Sequence, residues 1–337
     1  MAENSKISWT DHTFNPWIGC QKVSPACDNC YAEIYGKRFG VQCGAHAERK
    51  RTSATNWKLP FRWNRKAKKE GKRYRVFCGS LCDVFDNAVS LSWKIDLFHL
   101  MRSTKNLDWL ILTKRIGKAH NLWRALSGPD WEGDEPFPSN IWLGITVCNQ
   151  AEADRDIPKL LEIPVSKRFL SIEPMLGAIN LEFTKGAVHG CDAADYRLDF
   201  VIVGGESGPK ARPMHPDWVR SIRDQCREAG VPFHFKQWGG WIPNGSTVWC
   251  REGTGYPYLG EGRAILRDGR VCLSDPPRSK FHGYPPFVVD KDAYDFLKKA
   301  IRSECDITNE LGYQWMYRVG RKESGHMLDG REHLEIL

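Results

Sequence analysis

The chain has 337 residues and a formal net charge of +8, with 41% hydrophobic and 27% charged residues. This is the balance of a globular protein, and no apolar run reaches the ~20 residues that a membrane-spanning helix needs. The first residues lack the apolar segment of a secretion signal. We therefore expect a soluble, cytoplasmic protein without a membrane partner.

The cysteine count and the charge narrow the classes of function. Twelve cysteines in a cytoplasmic protein favour a metal or redox role, because a reducing compartment disfavours disulfide bonds. The net charge of +8 and the 14 tryptophans are compatible with a nucleic-acid or nucleotide partner. Mild basicity and buried tryptophans are also common in proteins without such a partner.

Seven short segments rich in β-branched or aromatic residues are predicted to form strands. They span residues 7–13, 75–79, 109–113, 141–146, 168–172, 200–205 and 232–236. Their nearly continuous apolar character is typical of strands in a parallel sheet that is covered on both faces.

Helical patterns separate these strands. One helix is predicted after the N-cap Ser90, with apolar residues at helical spacing from Leu91 to Met101. Another opens at Pro216 and closes at Gly230. Alternating strands and helices imply right-handed crossovers. Because no dinucleotide-binding glycine motif follows the first strand, the sequence predicts an α/β fold with a partial or closed TIM-like β/α barrel rather than a doubly wound sheet.

The predicted barrel occupies residues 1–240, with insertions near residues 128–139 and 185–197. Residues 241–337 differ in character, because their first part is rich in glycine and proline and has only short β-like pieces. This C-terminal extension is predicted to contain a hairpin around Asp268-Gly269, a helix over residues 290–301 and a charged tail.

Three cysteines close together in sequence are the sharpest chemical feature. Cys20, Cys27 and Cys30 form the pattern C-x6-C-x2-C between the first strand and a helix beginning near Asp28. Three thiolates on one loop can hold three irons of a [4Fe–4S] cluster and leave the fourth iron open to a chelating ligand such as S-adenosylmethionine (SAM). A loop after the first strand also lies at the end of a barrel where active sites are found.

A structural zinc site is the alternative interpretation of the same cysteines. Cys43 or His46 would then complete four ligands. Zinc loops usually pair two CxxC-like units, and the sequence has no second one. The spacing favours the cluster and leaves zinc open.

Motifs across most of the chain resemble a radical-SAM-like family that is associated with phages and mobile elements and carries a three-cysteine motif. Besides the cysteine loop, they are ISWTD (7–11), FNPW (14–17), SLCDVF (80–85), LTKR (112–115), GITVCNQ (144–150), RFLSIEP (168–174), VGGESG (203–208), FKQWG (235–239) and LDGR (328–331). The resemblance implies a barrel of the radical SAM type, a [4Fe–4S] cluster and SAM cleavage. The cysteine loop is three residues longer than the usual C-x3-C-x2-C spacing.

Polar residues or glycines follow six successive predicted strands. They are Gly79, Ser80 and Asp83; Lys114; Thr146, Asn149 and Gln150; Ser171 and Glu173; Gly205 and Glu206; and Lys236 with Gln237. In a barrel these strand ends converge on one mouth, which favours a shared pocket. Loop starts are also polar in the absence of a site.

The predicted roles of these residues follow from the resemblance and from their chemistry. We expect the SAM-binding set to comprise all of them except Lys114 and Gln237. Lys114 and Lys236 would bind the SAM carboxylate or a substrate phosphate, or form internal salt bridges instead. The catalytic candidates are Lys114, Cys82 and Cys148. The two cysteines are included because a thiol can donate a hydrogen atom to a substrate radical. Most buried cysteines act only as small apolar residues.

A basic stretch with aromatic residues extends over residues 50–69. Eight lysines and arginines alternate there with Trp57, Phe61 and Trp63. This composition suits phosphate contacts combined with base stacking. It equally suits a solvated helix whose aromatic residues pack on the barrel.

The leading hypothesis is a radical SAM enzyme that modifies or rearranges a DNA base or a nucleotide, with an external electron donor of the flavodoxin or ferredoxin type. Thymine hypermodification in phage DNA and repair of a thymine photoproduct, as in spore-photoproduct-lyase-like enzymes, are two versions of it, so the reaction class stays open between isomerase, lyase and transferase. The alternatives are a zinc-stabilised nucleic-acid-binding protein of a mobile element and a cluster-containing redox or partner-binding protein.

Overall fold

The structure is a computed structural model that describes the chain in nine stretches. They are residues 2–119, 121–122, 137–181, 197–243, 262–266, 271–273, 313–318, 327–329 and 331–335. Most of the two predicted insertions, the turn of the predicted hairpin and the predicted helix over 290–301 lie outside the described residues.

Sixteen strands occur in the described residues. They are β1 (Ala2–Glu3), β2 (His12–Phe14), β3 (Trp17–Ile18), β4 (Lys50–Arg51), β5 (Tyr74–Cys78), β6 (Leu107–Thr113), β7 (Ile141–Thr146), β8 (Lys167–Ile172), β9 (Phe200–Gly204), β10 (Phe233–Gln237), β11 (Trp241–Pro243), β12 (Gly262–Leu266), β13 (Val271–Leu273), β14 (Tyr313–Arg318), β15 (Met327–Leu328) and β16 (Arg331–Glu332).

The α-helices of the described residues lie mostly between these strands. They are α1 (Tyr31–Arg38), α2 (Ala54–Trp57), α3 (Leu59–Glu70), α4 (Leu91–Ser103), α5 (Gln150–Leu161) and α6 (Pro216–Glu228). The helices predicted after Ser90 and from Pro216 are confirmed, with the Ser90 hydroxyl capping α4 at the Trp93 amide. Within the part of the chain that the structure describes, no helix is both long and apolar enough to cross a membrane.

The main sheet places its strands in the order β1-β2-β5-β6-β7-β8-β9-β10. From β2 to β10 each strand pairs in parallel with the next strand of this sheet, and the strands follow in chain order, with β3 and β4 set apart as a pair of their own. The strand order never reverses, so the sheet has no switch point and curls round on itself. Its seven parallel strands form a half-barrel. The predicted partial TIM-like barrel is therefore confirmed at the level of the α/β half-barrel.

The first strand is shorter and later than predicted. The predicted strand covers residues 7–13, whereas β2 covers His12–Phe14, because the Thr10 amide bonds back to the Ile7 carbonyl at 3.1 Å and turns the chain. Trp9 is fully buried inside the half-barrel. Its apolar character therefore indicates burial in the lumen and not strand pairing.

Aromatic side chains fill the concave side of the sheet. Trp9 lies 4.7 Å from Phe77 between ring centroids, and Phe169 stacks on Phe200 at 4.8 Å. Gly144 makes room for this layer, since a Cβ there would overlap the Phe169 ring. The same strand face changes from aromatic to polar toward the carboxyl end, where Thr146 and Ser171 pair across β7 and β8.

The C-terminal extension forms a second, antiparallel sheet in the order β11-β14-β12-β13. The antiparallel pairing of β12 with β13 confirms the predicted hairpin strands. The tail then returns to the free edge of the half-barrel, where the Phe235 amide bonds to the His333 carbonyl at 2.7 Å. Asp329 anchors it by ion pairs to Arg220 and Arg223 on α6. An exposed sheet edge is thereby covered.

We predict that Gly144→Ala destabilises the half-barrel, because the added methyl group meets the Phe169 ring in a packed core. Overpacking of this kind costs roughly 1–3 kcal/mol, to be measured by urea unfolding. Gly117→Ala is the matched control, since a Cβ at Gly117 has nothing within 4 Å. Equal stability of the two variants would contradict this packing.

A second prediction concerns His234, which is buried on β10 and lies 2.7 Å from the Ser8 hydroxyl. Burial lowers the pKa of His234 to about 4. Between that value and the unfolded value of about 6.5, the unfolded chain binds more protons than the native one. The unfolding free energy should therefore fall, by roughly 2 kcal/mol, as the pH drops from about 6.5 to about 4.

Urea unfolding at several pH values measures this effect. His234→Gln should flatten the pH dependence, and the same substitution at the exposed His99 should leave it unchanged. A His234→Gln profile identical to that of the unmodified protein would refute the assignment.

Candidate functional site

The three cysteines lie in residues 19–49, a segment that we call the excursion because it leaves the half-barrel and returns to it. Strands β3 and β4 pair antiparallel, with Trp17 opposite Arg51 and Ile18 opposite Lys50, so residues 19–49 leave and return at the same place. The Gly19 amide bonds to the Leu81 carbonyl at 3.1 Å, beside the carboxyl end of β5. The excursion therefore lies at the predicted mouth.

The three cysteines occupy different parts of this excursion. Cys27 ends a short 3-10 helix and is buried, Cys30 is the N-cap residue of α1, and Cys20 is half-buried. Burial raises the pKa of Cys20 to about 12, with a further contribution from Asp83. Burial also raises the pKa of Cys30, against the opposing charge of Lys114. Without a bound cation these two thiols are protonated; a coordinated metal reverses this.

Zinc and a [4Fe–4S] cluster place different demands on the arrangement of their cysteine ligands. Within the described residues, no group of three or more His, Cys, Asp or Glu side chains is arranged to hold a single metal ion. A structural zinc requires four ligands around one point. In a [4Fe–4S] cluster each thiolate binds a different iron, so the sulfur atoms surround a larger group. Cys20, Cys27 and Cys30 lie on one loop, as both kinds of site allow.

Cys43 and His46 lie on the same excursion. Cys43 is close enough to Cys30 to contribute to the raised pKa of its thiol, and a Cβ on Gly36 would lie 3.9 Å from the Cys43 sulfur. His46 is exposed. A fourth thiol is thus available beside Cys30.

A buried carboxylate fastens the cysteine loop across the mouth. Glu206, which follows β9, accepts hydrogen bonds from the Arg212 backbone and guanidinium at 2.6–2.9 Å and from the Asn29 amide at 3.0 Å. Arg212 in turn donates to the Pro25 carbonyl at 2.9 Å and pairs with Asp28 at 3.2 Å. These bonds raise the pKa of Arg212. Glu206, predicted to bind SAM, therefore holds the loop.

Asp83 has a comparable positioning function. Its carboxylate accepts from the Thr113 hydroxyl at 2.8 Å and from the backbone amides of Phe85 and Lys114 at 2.9 and 3.0 Å. Arg115 lies 4.0 Å away and donates to the Gln21 carbonyl at 3.2 Å. Asp83 thus orders the turn after β6 and, through Arg115, the start of the cysteine loop.

Asn149 and Gln150 stabilise local structure at the start of α5. The Asn149 side chain caps the helix at the Glu152 amide, and Glu152 accepts from the Cys148 amide at 2.9 Å. Gln150 exchanges two hydrogen bonds with the backbone of Asn180. The structure brings both residues to the mouth with these polar groups already engaged.

Gly79, Ser80 and Gly205 shape the backbone near the mouth. Gly79 has a φ of +93°, and its amide bonds to the Phe14 carbonyl at 3.0 Å. The Ser80 hydroxyl accepts from the Asn15 amide at 2.9 Å. A Cβ on Gly205 would overlap the Trp238 carbonyl, so only glycine fits where these two loops cross.

Five polar side chains form the floor of the lumen beneath the cysteine loop. Glu173 pairs with Lys236 at 2.9 Å and accepts from the Ser171 hydroxyl at 3.2 Å, while Lys114 donates to the Thr146 hydroxyl at 3.4 Å. We call Lys114, Thr146, Ser171, Glu173 and Lys236 the polar floor. Two ammonium groups and one carboxylate suit a zwitterionic or phosphorylated ligand.

Local backbone features determine where two side chains of the polar floor lie, those of Lys236 and Glu173. A register shift between Phe235 and Gln237 marks Lys236 as a bulged residue, and bulges redirect side chains near active sites. A Cβ on Gly204 would lie 2.5 Å from a Glu173 carboxylate oxygen, so this glycine provides the space that Glu173 occupies.

The two catalytic cysteine candidates lie beside the loop. Cys82 is buried next to Cys78 and Cys20, and its pKa is raised well above the ordinary value by burial. Burial raises the pKa of Cys148 to about 12, and this thiol contacts Ser24 and the Ala26 amide of the cysteine loop. Both thiols are neutral in this environment.

The basic stretch forms mainly a solvated helix whose tryptophans pack on the barrel, which is the second of the two interpretations of its sequence. Trp63 on α3 is fully buried and stacks on His12 at 4.4 Å, and Trp57 meets the edge of Phe14. Phe61 is exposed, as are the basic residues Arg62, Arg65, Lys66, Lys68 and Lys69 on the outer face of α3. The helix therefore offers charge to a polyanion and no stacking platform of tryptophans.

Sequence reasoning missed Asn29, Arg212, Arg115 and Asn15, which connect the loop to the barrel. Asn29 lies between two of the cysteines, and Asn15 lies within the FNPW motif. Arg212 follows the VGGESG motif by a few residues. Proximity to these motifs was the one available signal, and it does not identify the partner of each side chain.

The fold and the site together define an α/β half-barrel protein with a three-cysteine loop over its carboxyl-end mouth. A family model described as "Protein of unknown function (DUF5131)" matches residues 4–336, and the chain belongs to this family. No curated protein and no solved structure matches the chain.

We predict that Glu206→Gln loosens the cysteine loop, because removing the carboxylate charge weakens its bonds to Arg212 and Asn29. The unfolding free energy should fall by roughly 2 kcal/mol, with faster amide exchange in residues 20–30. Asp224→Asn is the control, since the Asp224 side chain is 44% exposed and its pair with Arg223 should contribute little. Unchanged exchange in the loop would rule out this anchoring role.

Proposed function

We propose that the protein is a radical SAM enzyme. The observation that supports it is the position of the cysteine loop. The loop is bonded to Glu206 across the mouth of the half-barrel and faces the polar floor. A [4Fe–4S] cluster on Cys20, Cys27 and Cys30 would supply one-electron reduction of SAM, which cleaves to methionine and a 5′-deoxyadenosyl radical.

The residues of the chain would bind and orient the reactants. Lys114 lies close enough to Cys30 to lower its pKa, so its ammonium group is near the cluster-binding thiols and suited to the SAM carboxylate. Glu173 and Lys236 provide an acceptor and a cation for ribose hydroxyls or a substrate phosphate. The aromatic layer below closes the lumen and keeps water from a radical formed above it.

A DNA base or a nucleotide is the proposed substrate class. The net charge of +8 and the exposed basic face of α3 support a polyanionic partner. Modification of a thymine side group and reversal of a thymine photoproduct are the two reactions to test.

The test is anaerobic reconstitution with iron and sulfide, followed by dithionite and SAM, with and without DNA. We expect about four irons per chain and release of 5′-deoxyadenosine. Cys20→Ser, Cys27→Ser and Cys30→Ser should each lose both. Cys43→Ser is the matched control, because it removes a thiol of the same excursion that the cluster does not need.

A contrary result is equally clear. One zinc, no iron and a loss of metal in Cys43→Ser would establish the zinc-stabilised alternative. A full cluster without 5′-deoxyadenosine would leave a redox protein and refute the enzymatic proposal.

A further inference from the structure

Helix α1 presents large apolar side chains to solvent and small ones to the protein. Tyr31, Ile34 and Tyr35 on its outer face recur at helical spacing with Phe39, which directly follows the helix, and each is 45–49% exposed. Ala32 and Gly36 are its buried residues. This is the reverse of an ordinary surface helix, whose apolar side faces the core.

The packing beneath α1 explains why its inner face is small. A Cβ on Gly36 would lie 3.1 Å from the Val41 carbonyl, so the following chain passes directly under the helix. Space therefore decides which side faces outward. It does not explain why the outward side is apolar instead of charged.

The apolar residues are concentrated at this place. Of the nine large hydrophobic side chains that are exposed in the described residues, five lie between Val23 and Phe39. We call Val23, Tyr31, Ile34, Tyr35 and Phe39 the α1 face. A contiguous patch of this kind marks an interaction surface, whereas single exposed apolar residues do not.

The rim of the α1 face is basic. The Arg38 guanidinium lies 4.9 Å from the centre of the Tyr35 ring. Glu33 is shared by Lys22 and Lys37, each at 3.3 Å, so its charge is already matched. Lys50 lies beside Phe39 and donates to its carbonyl. Tyrosine and arginine are residues that carry binding energy at protein interfaces, and a basic rim selects an acidic partner.

We propose that the α1 face is the docking surface for an acidic one-electron carrier protein of the flavodoxin or ferredoxin type. The inference rests on the proposed function, which requires a reductant for the cluster. Because Cys30 is the N-cap residue of α1, a carrier on this face would lie next to a proposed cluster ligand. One electron would pass from the reduced carrier, which is oxidised by one electron, to a cluster held by the three cysteines, which would be reduced from the 2+ to the 1+ state; no atom is transferred.

The experiment uses the full chain and a purified bacterial flavodoxin. Its binding is measured by calorimetry, and the rate of cluster reduction by the fully reduced flavodoxin is followed by absorbance. Ile34→Asp should raise the dissociation constant by about tenfold or more, as for a buried interface anchor. Lys37→Glu with Arg38→Glu should weaken binding and remove most of its salt dependence. Reduction by flavodoxin should slow in parallel.

The control is Leu91→Asp, which places the same charge at a residue that is 47% exposed at the start of α4. It should bind flavodoxin normally. Dithionite should reduce the cluster equally in all variants, because it needs no docking surface.

Normal flavodoxin binding by Ile34→Asp overturns the inference. So does loss of single-stranded DNA binding in Ile34→Asp with flavodoxin binding intact, which would make the α1 face a nucleic-acid surface. Failure of the proposed function gives a different result. Dithionite and SAM would then yield no 5′-deoxyadenosine, whether or not flavodoxin binds.

Discussion

The carboxylate of Glu206 joins two parts of the chain that are far apart in sequence. It follows β9 in the half-barrel, and it accepts hydrogen bonds from Arg212 and from Asn29, which lies between two of the cysteines. A buried carboxylate is costly unless its oxygens are bonded and its charge is matched. Arg212 matches the charge, and the remaining hydrogen bond, from Asn29, forms only when the cysteine loop lies across the mouth. Glu206 thus helps to fix the position of the three thiols relative to the lumen, together with Asp83 and Arg115 at the start of the loop.

Below the cysteine loop, the inward-facing side chains of the parallel strands form two layers in the lumen. Inward positions carry aromatic rings near the amino ends and polar groups near the carboxyl ends. Gly144 and Gly204 occur where a larger neighbour, Phe169 or Glu173, needs the space. The lumen is therefore apolar toward the amino ends of the strands and charged where it meets the cysteine loop.

Much of the half-barrel follows from sequence, because long apolar strands and capped helices have strong local signals. The first strand was misplaced, since the apolar Trp9 is buried by entering the lumen and makes no ladder. The ends of strands were also recognisable, but the partners of their side chains were not. Asp83, Gln150 and Glu206 are engaged by backbone amides or arginines from loops whose paths no local pattern specifies. The outward direction of Tyr31 and Ile34 likewise depends on the chain passing beneath α1.

The pairing of β3 with β4 has a consequence for the order in which the protein is assembled. Two residue pairs bring the ends of the excursion together, so its loop-closure entropy is already lost before any ligand binds. The excursion contributes no strand to the main sheet, so the seven parallel strands pair independently of it. Under the proposed function, iron and sulfide would therefore be delivered to a barrel whose strands are already paired, and loss of the cluster would not by itself unfold it.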